Sequence, residues 1–136
     1  MRTLLFLAAI GSALAACAQQ APYRVVIDVT SSDTLVHQMV VRWVGEIAAN
    51  RPDAQVEVVF YAGSLDMVTR GRSVVAGAVV EQAARPNVAL KVCEGTLKRK
   101  QVGKDQLLEG VGTVPDGIYE IVQRQHEGWA YIKAAR

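Results

Sequence analysis

From Tyr23 onward the chain alternates between two hydrophobic rhythms. Tyr23-Arg24-Val25-Val26-Ile27-Asp28-Val29 is largely apolar and β-branched, which predicts a strand covered on both faces. Ser31, Ser32 and Asp33 then offer helix caps, and Leu35, Met39, Trp43, Ile47 with Val36, Val40, Val44 recur at helical spacing up to Asn50-Arg51-Pro52. The alternation repeats. Gln55 to Tyr61 predicts a second strand, Ala62-Gly63-Ser64 a turn, and Leu65 to Arg70 a short helical turn halted at Gly71. Ser73 can cap a further helix running through Arg85, with Val74, Val75, Ala78, Val79, Gln82 and Ala83 along one side.

Val88, Leu90 and Val92 alternate with Ala89, Lys91 and Cys93 in a third strand, which gives way at Glu94-Gly95-Thr96 to a basic turn or short helix. Gly103 to Leu108 predicts another short helix, and Gly110 to Val114 a weaker fourth strand. Pro115-Asp116-Gly117 starts a helix with Ile118, Ile121 and Val122 on a shared face, ending at Gly128. Trp129 to Ile132 is the fifth strand. Strands alternating with helices in this way imply an α/β fold with a mainly parallel five-stranded sheet, because parallel neighbours need crossover connections. There are no repeats, linkers or low-complexity segments, so one domain spans 23–136.

The residues before it differ. Arg2 followed by the apolar run Leu4 to Leu14, too short to span a bilayer, and then small residues, predicts an export signal over 1–16, with a tail at 17–22. Leu14-Ala15-Ala16-Cys17 resembles the lipobox of bacterial lipoproteins, so Cys17 is the expected lipidation site. The protein would then be periplasmic and meet a membrane only through that anchor. Ordinary cleavage after Ala15 or Ala18 is the competing expectation.

The net charge of +2 falls to about +1 once Arg2 leaves with the signal, which gives no reason to expect nucleic acid. Of the two cysteines, Cys17 belongs to the leader or tail, so Cys93 is expected to be unpaired. An unpaired thiol is conspicuous in an oxidising compartment, although a buried Cys acting as a small hydrophobe is the bland alternative.

Cys93 ends a strand, where the amides of the following helix point outward and where ligands collect in open α/β sheets. The thiolate is the reactive form, and Lys91, on the same side of the pleat, is placed to stabilise it together with the amides of Glu94, Gly95 and Thr96. Lys98 and Arg99 would attract an anionic partner, in a shallow basic pocket. Glu94 opposes them, and the Lys98-Arg99-Lys100 run can equally be a solvated face. Gly63, Ser64, Pro115 and Asp116 lie at strand-to-helix junctions and are candidates to line the same pocket. His37 and His126 fall in helices with no ligand-spaced partner and read as solvent-facing, so neither metal nor cofactor is expected. Trp43, Trp129 and Tyr131 are most simply core or subunit-interface aromatics.

Cys93-x-x-Thr96-Leu97, then Leu107-Leu108-x-Gly110-Val111, Val114-Pro115-x-Gly117 and Gln125-x-x-Gly128-Trp129-Ala130-Tyr131-Ile132 resemble the DsrE/DsrF-like family, and Val26-Ile27-Asp28-Val29-Thr30-Ser31 extends the likeness to the start of the domain. The resemblance implies a three-layer α/β/α fold, a homo-oligomer such as a trimer or hexamer, and a link to sulfur metabolism. It implies a persulfide carrier role for Cys93 alone, in exchange with a donor or acceptor protein. The export signal departs from the cytoplasmic members best known for sulfur transfer. A non-catalytic pocket for a small anion or thiol ligand is the alternative, and a purely structural oligomer the third.

Overall fold

The computed structural model describes residues 21–136; the predicted leader, Cys17 and residues 18–20 of the tail lie outside the described residues. The chain forms β1 (Arg24–Val29), α1 (Thr34–Asn50), β2 (Gln55–Phe60), a 3-10 helix (Ala62–Val68), α2 (Ala76–Ala83), β3 (Val88–Cys93), α3 (Glu94–Lys100), a second 3-10 helix (Lys104–Gln106), β4 (Gly112–Val114), α4 (Gly117–His126) and β5 (Ala130–Ala134). The five strands make one sheet in the order β4-β3-β2-β1-β5. Every pairing is parallel. The chain steps outward from β1 to β4, and α4 then carries it back across the sheet to place β5 on the far side of β1.

Alternation along each strand separates the two faces. Val25, Ile27 and Val29, Val56, Val58 and Phe60, and Val88, Leu90 and Val92 join one core with Val36, Val40 and Val44 of α1 and Val79 of α2. Their opposite-facing neighbours Val26 and Val59 join a smaller cluster with Ile121 of α4, against Tyr61 and Trp129. Helices therefore cover both faces, giving the three-layer α/β/α arrangement, but unequally.

Local chemistry explains the helix starts. Asp33 caps α1 by accepting from the amide of Leu35 (2.9 Å), and Asp116 caps α4 by accepting from Tyr119 (2.9 Å). Ser73 does not cap α2. Its hydroxyl instead takes the Val75 amide in a turn, and the helix begins at Ala76. The segments expected as helical around 65–70 and 103–108 are 3-10 turns.

Two expectations about facing fail. His37 is buried, its Nε2 bonded to the Ser31 carbonyl at 2.8 Å, which ties α1 to the loop before it. Ile118 and Val122 share a helix face with Ile121 only in part. They are 55% and 45% exposed, because α4 lies with Ile121 inward over a narrow strip of sheet.

Candidate functional site

β3 and β4 are neighbours, yet the helices after them leave toward opposite faces. α3 sends Leu97 into the larger core and α4 sends Ile121 into the smaller. In open α/β sheets such a divergence beyond the strands' carboxyl ends is where ligands collect, and Cys93, the last residue of β3 and the N-cap of α3, stands at that point. Cys93 is unpaired among the described residues.

Cys93 is 6% exposed, more enclosed than a shallow pocket implies. The start of α4 is the reason. A Cβ on Gly117 would lie 3.1 Å from the Cys93 Cβ, 3.2 Å from Val59 Cγ1 and 3.5 Å from Tyr61 Cδ1, so only a residue without a side chain lets the helix come this close.

Enclosure alone would raise the thiol's pKa, because it disfavours the charged form. The net shift is nevertheless downward. Against burial stand the Gly117 amide at the head of α4, the Thr96 amide and hydroxyl, and the Gly95 amide. Donors from two separate helices thus converge on one sulfur.

The Thr96 hydroxyl is itself oriented. Its oxygen accepts from the Ala62 amide (3.2 Å) and from Arg99 Nη2 (3.2 Å), which occupies both lone pairs and leaves the proton for the sulfur. Ala62 supplies that amide from a left-handed conformation, φ 55°, unusual for a residue with a side chain and therefore held by its surroundings.

The other sequence candidates take supporting positions. Lys91 shares the pleat face with Cys93, but its ammonium runs sideways over β4, where Nζ lies 3.2 Å from the place a Cβ on Gly112 would occupy. Glu94 accepts from Lys104 Nζ and from Thr113 Oγ1 (2.8 Å), and these bonds hold its carboxyl below the usual range. Lys98 adds to that lowering from across the turn. Arg99 acts on the sulfur through Thr96. The Gly63 amide donates to the Thr30 carbonyl (3.0 Å), where a Cβ would lie 3.0 Å from that oxygen and 3.2 Å from the Ser32 nitrogen, and Ser64 gives its hydroxyl to the Val29 carbonyl (2.7 Å). Both shape the loop that carries Ala62. Pro115 and Asp116 set the start of α4, and so the place of Gly117.

A second row of polar side chains, on the same sheet face, was not singled out from sequence. Asp28 is buried and accepts from Tyr131 (2.8 Å) and Lys133 (3.0 Å), and Lys133 also donates to Thr30 (2.8 Å). Tyr61 joins this row beside Cys93. Burial, then the charge of Asp28 and a hydrogen bond to it, push the Tyr61 phenol up to about 12, so it keeps its proton. An acidic residue inside an apolar strand was the signal available for Asp28. Its partners could not be read, because both come from β5, more than a hundred residues later in the chain.

A family model described as the DsrE/DsrF-like family matches residues 11–134. The chain belongs to the DsrE/DsrF-like family. This family is associated with sulfur metabolism. Among solved structures, the chain is similar to the protein of unknown function MTH1491 from Methanobacterium thermoautotrophicum, with 34% identity and a TM-score of 0.76, covering 82% of this chain and 98% of that one. The ychN protein from E. coli shares the fold at 12% identity and a TM-score of 0.67, covering 82% and 97% of the two chains. The conserved protein of unknown function BT1422 from Bacteroides thetaiotaomicron shares it at 15% identity and a TM-score of 0.67, covering 85% and 98%. No curated protein matches the chain.

Proposed function

We propose that this DsrE-like protein carries sulfur as a persulfide on Cys93. The observation that supports it is the set of N–H and O–H donors directed at an otherwise enclosed sulfur, which favours the thiolate and would equally favour the anionic outer sulfur of a persulfide. In the transfer, the Cys93 thiolate attacks the outer sulfur of a donor R–S–SH. The new sulfur–sulfur bond forms on Cys93 as the donor's breaks, and the electron pair leaves on the donor thiolate, so no electrons are gained or lost overall. Gly117, Gly95 and Thr96 hold the charge; Arg99 and Ala62 hold Thr96. The protein would work outside the cytoplasm as a lipid-anchored homo-oligomer, exchanging sulfur with a partner protein.

Native protein exposed to polysulfide, or to thiosulfate with a sulfurtransferase, should gain the mass of one or more sulfur atoms, reversed by a reducing thiol and absent in Cys93→Ser. A wild type that gains no such mass refutes the carrier. A cleft of about 280 Å³ lined by Ala62, Asp66, Arg72 and Lys100 supports the second reading, a pocket for a small anion. Thermal stabilisation by thiosulfate that persists in Cys93→Ala would favour it over the carrier.

A further inference from the structure

We infer that Arg124 and Glu57 are positioning residues for the Cys93 thiol: together they pin α4 to the sheet, so that the Gly117 amide reaches the sulfur. The inference rests on the thiol being the working group, as proposed above, and adds residues far from it.

The need for a pin follows from how little of α4 is buried. Of its ten residues only Gly117 and Ile121 are buried, while Ile118, Tyr119 and Val122 are exposed. One isoleucine on Val26 and Val59 does not by itself fix how far a helix slides or rolls.

Arg124 supplies the missing constraint. It lies seven residues after Gly117, about two helical turns and about 10 Å along the axis. Its Nε and Nη2 both approach Glu57 Oε2 at 3.0 Å, its Nη2 lies 2.8 Å from Glu120 Oε1, and its Nη1 donates to Glu127 Oε2 at 3.0 Å. Its guanidinium stacks on Trp129, 5.1 Å from the ring centre. Glu120 and Glu127 neighbour Arg124 in sequence, so Glu57 is its one ion-pair partner on the sheet among the described residues.

Glu57 sits in the middle of β2, 2% exposed, on the face that also carries Val59, two residues along. Val59 in turn lies against Gly117. The helix is therefore held over a single strand at two points, with the glycine at the end nearest the thiol and the arginine at the other. A hydrophobic residue at position 57 would cover this strip at least as cheaply, since a buried ion pair rarely outperforms one in stability. What the pair adds is a directional fastening.

The groups facing Glu57 are Arg124 and Glu120 from α4, with Glu127 and Arg24 beyond them; Ala89 opposes it on β3 and Val26 on β1. Its second oxygen, Oε1, is buried without a hydrogen-bond partner among the described residues.

The test is the rate of Cys93 alkylation against pH in the full chain, for wild type, Arg124→Met, Arg124→Lys and Glu57→Leu, each checked for a cooperative thermal melt. Glu57→Leu cuts the tie from the sheet side and fills the space with an apolar group, so it tests the same link without leaving a buried carboxylate unpaired. Arg124→Met and Glu57→Leu should move the profile to higher pH, slowing labelling near pH 6.5 about three- to tenfold while leaving the rate of the fully ionised thiolate unchanged. Arg124→Lys keeps the charge without the fork and should fall between. A folded Arg124→Met or Glu57→Leu protein with the wild-type profile overturns the inference and leaves the carrier standing. A wild type that titrates as an ordinary thiol removes both.

Discussion

Gly117→Ala asks how much of the thiol's activation depends on one main-chain amide. The added Cβ would stand 3.1 Å from the Cys93 Cβ and 3.2 Å from Val59 Cγ1, tighter than ordinary contact, and neither neighbour is the free end of a flexible chain. The head of α4 must therefore lift by a few tenths of an ångström. Gly117 is not in a left-handed conformation, so alanine meets no backbone penalty and the effect is one of distance. A hydrogen bond to a charged group is worth about 1.5–3 kcal/mol, and lengthening it forfeits about half. Since 1.36 kcal/mol is a factor of ten between protonation states, the ionised fraction near pH 6.5 should fall about three- to thirteenfold. Iodoacetamide labelling of native protein, followed by mass spectrometry from about pH 5 to pH 10, measures it. Overpacking should also cost about 1–3 kcal/mol in stability, read by urea unfolding. A stable Gly117→Ala protein whose labelling curve overlays the wild type would show that this amide does not govern the sulfur.

Two further outcomes follow from the same geometry. Thr96→Val removes the hydroxyl proton from Cys93 and strands the Ala62 amide, so labelling near pH 6.5 should slow about fivefold; Thr96→Ser should restore it, and an unchanged Thr96→Val rate would refute the oriented-hydroxyl account. The second outcome is a stability measurement. Burial, then its hydrogen bond to Glu120, pushes Glu57 up from 4.5 to about 7, so between those values the folded state holds a proton that the unfolded state has released. Stability contributed by that proton is present at low pH and is lost as pH rises through about 7, a span of about 3 kcal/mol. Glu57→Gln cannot titrate, so the difference between wild type and variant, measured by denaturant unfolding from about pH 4 to pH 8, should decline with pH by that order. A flat difference would refute it. Asp53 and Glu94, whose lowered carboxyls act the other way, are common to both proteins.

The alternation of apolar residues was enough to order the strands and helices and to place Cys93 at a strand end, since a two-residue period and a 3.6-residue period are legible locally. Thr96 and Gly95 were legible for the same reason, lying within one turn of the thiol. Gly117 was visible only as a helix start. That its amide meets a sulfur twenty-four residues earlier depends on β3 and β4 pairing Cys93 with Val114, a register no local pattern carries. The face of Lys91 was legible, but the course of its side chain over β4 beside Gly112 was not, because the pleat specifies a face and not the direction in which a long side chain runs. The Glu57–Arg124 pair escaped entirely: a glutamate inside Gln55-Val56-Glu57-Val58-Val59 looks like ordinary alternation until the helix above it is in place.

Most of what steadies the sulfur is peptide backbone, which every amino acid carries. Reactivity of this kind can outlast extensive drift, provided the two helix starts keep their spacing and the glycine at 117 stays bare. It follows that neither a lysine nor a histidine beside the cysteine is the right thing to look for in distant relatives. The informative feature is a glycine opening the helix after the neighbouring strand.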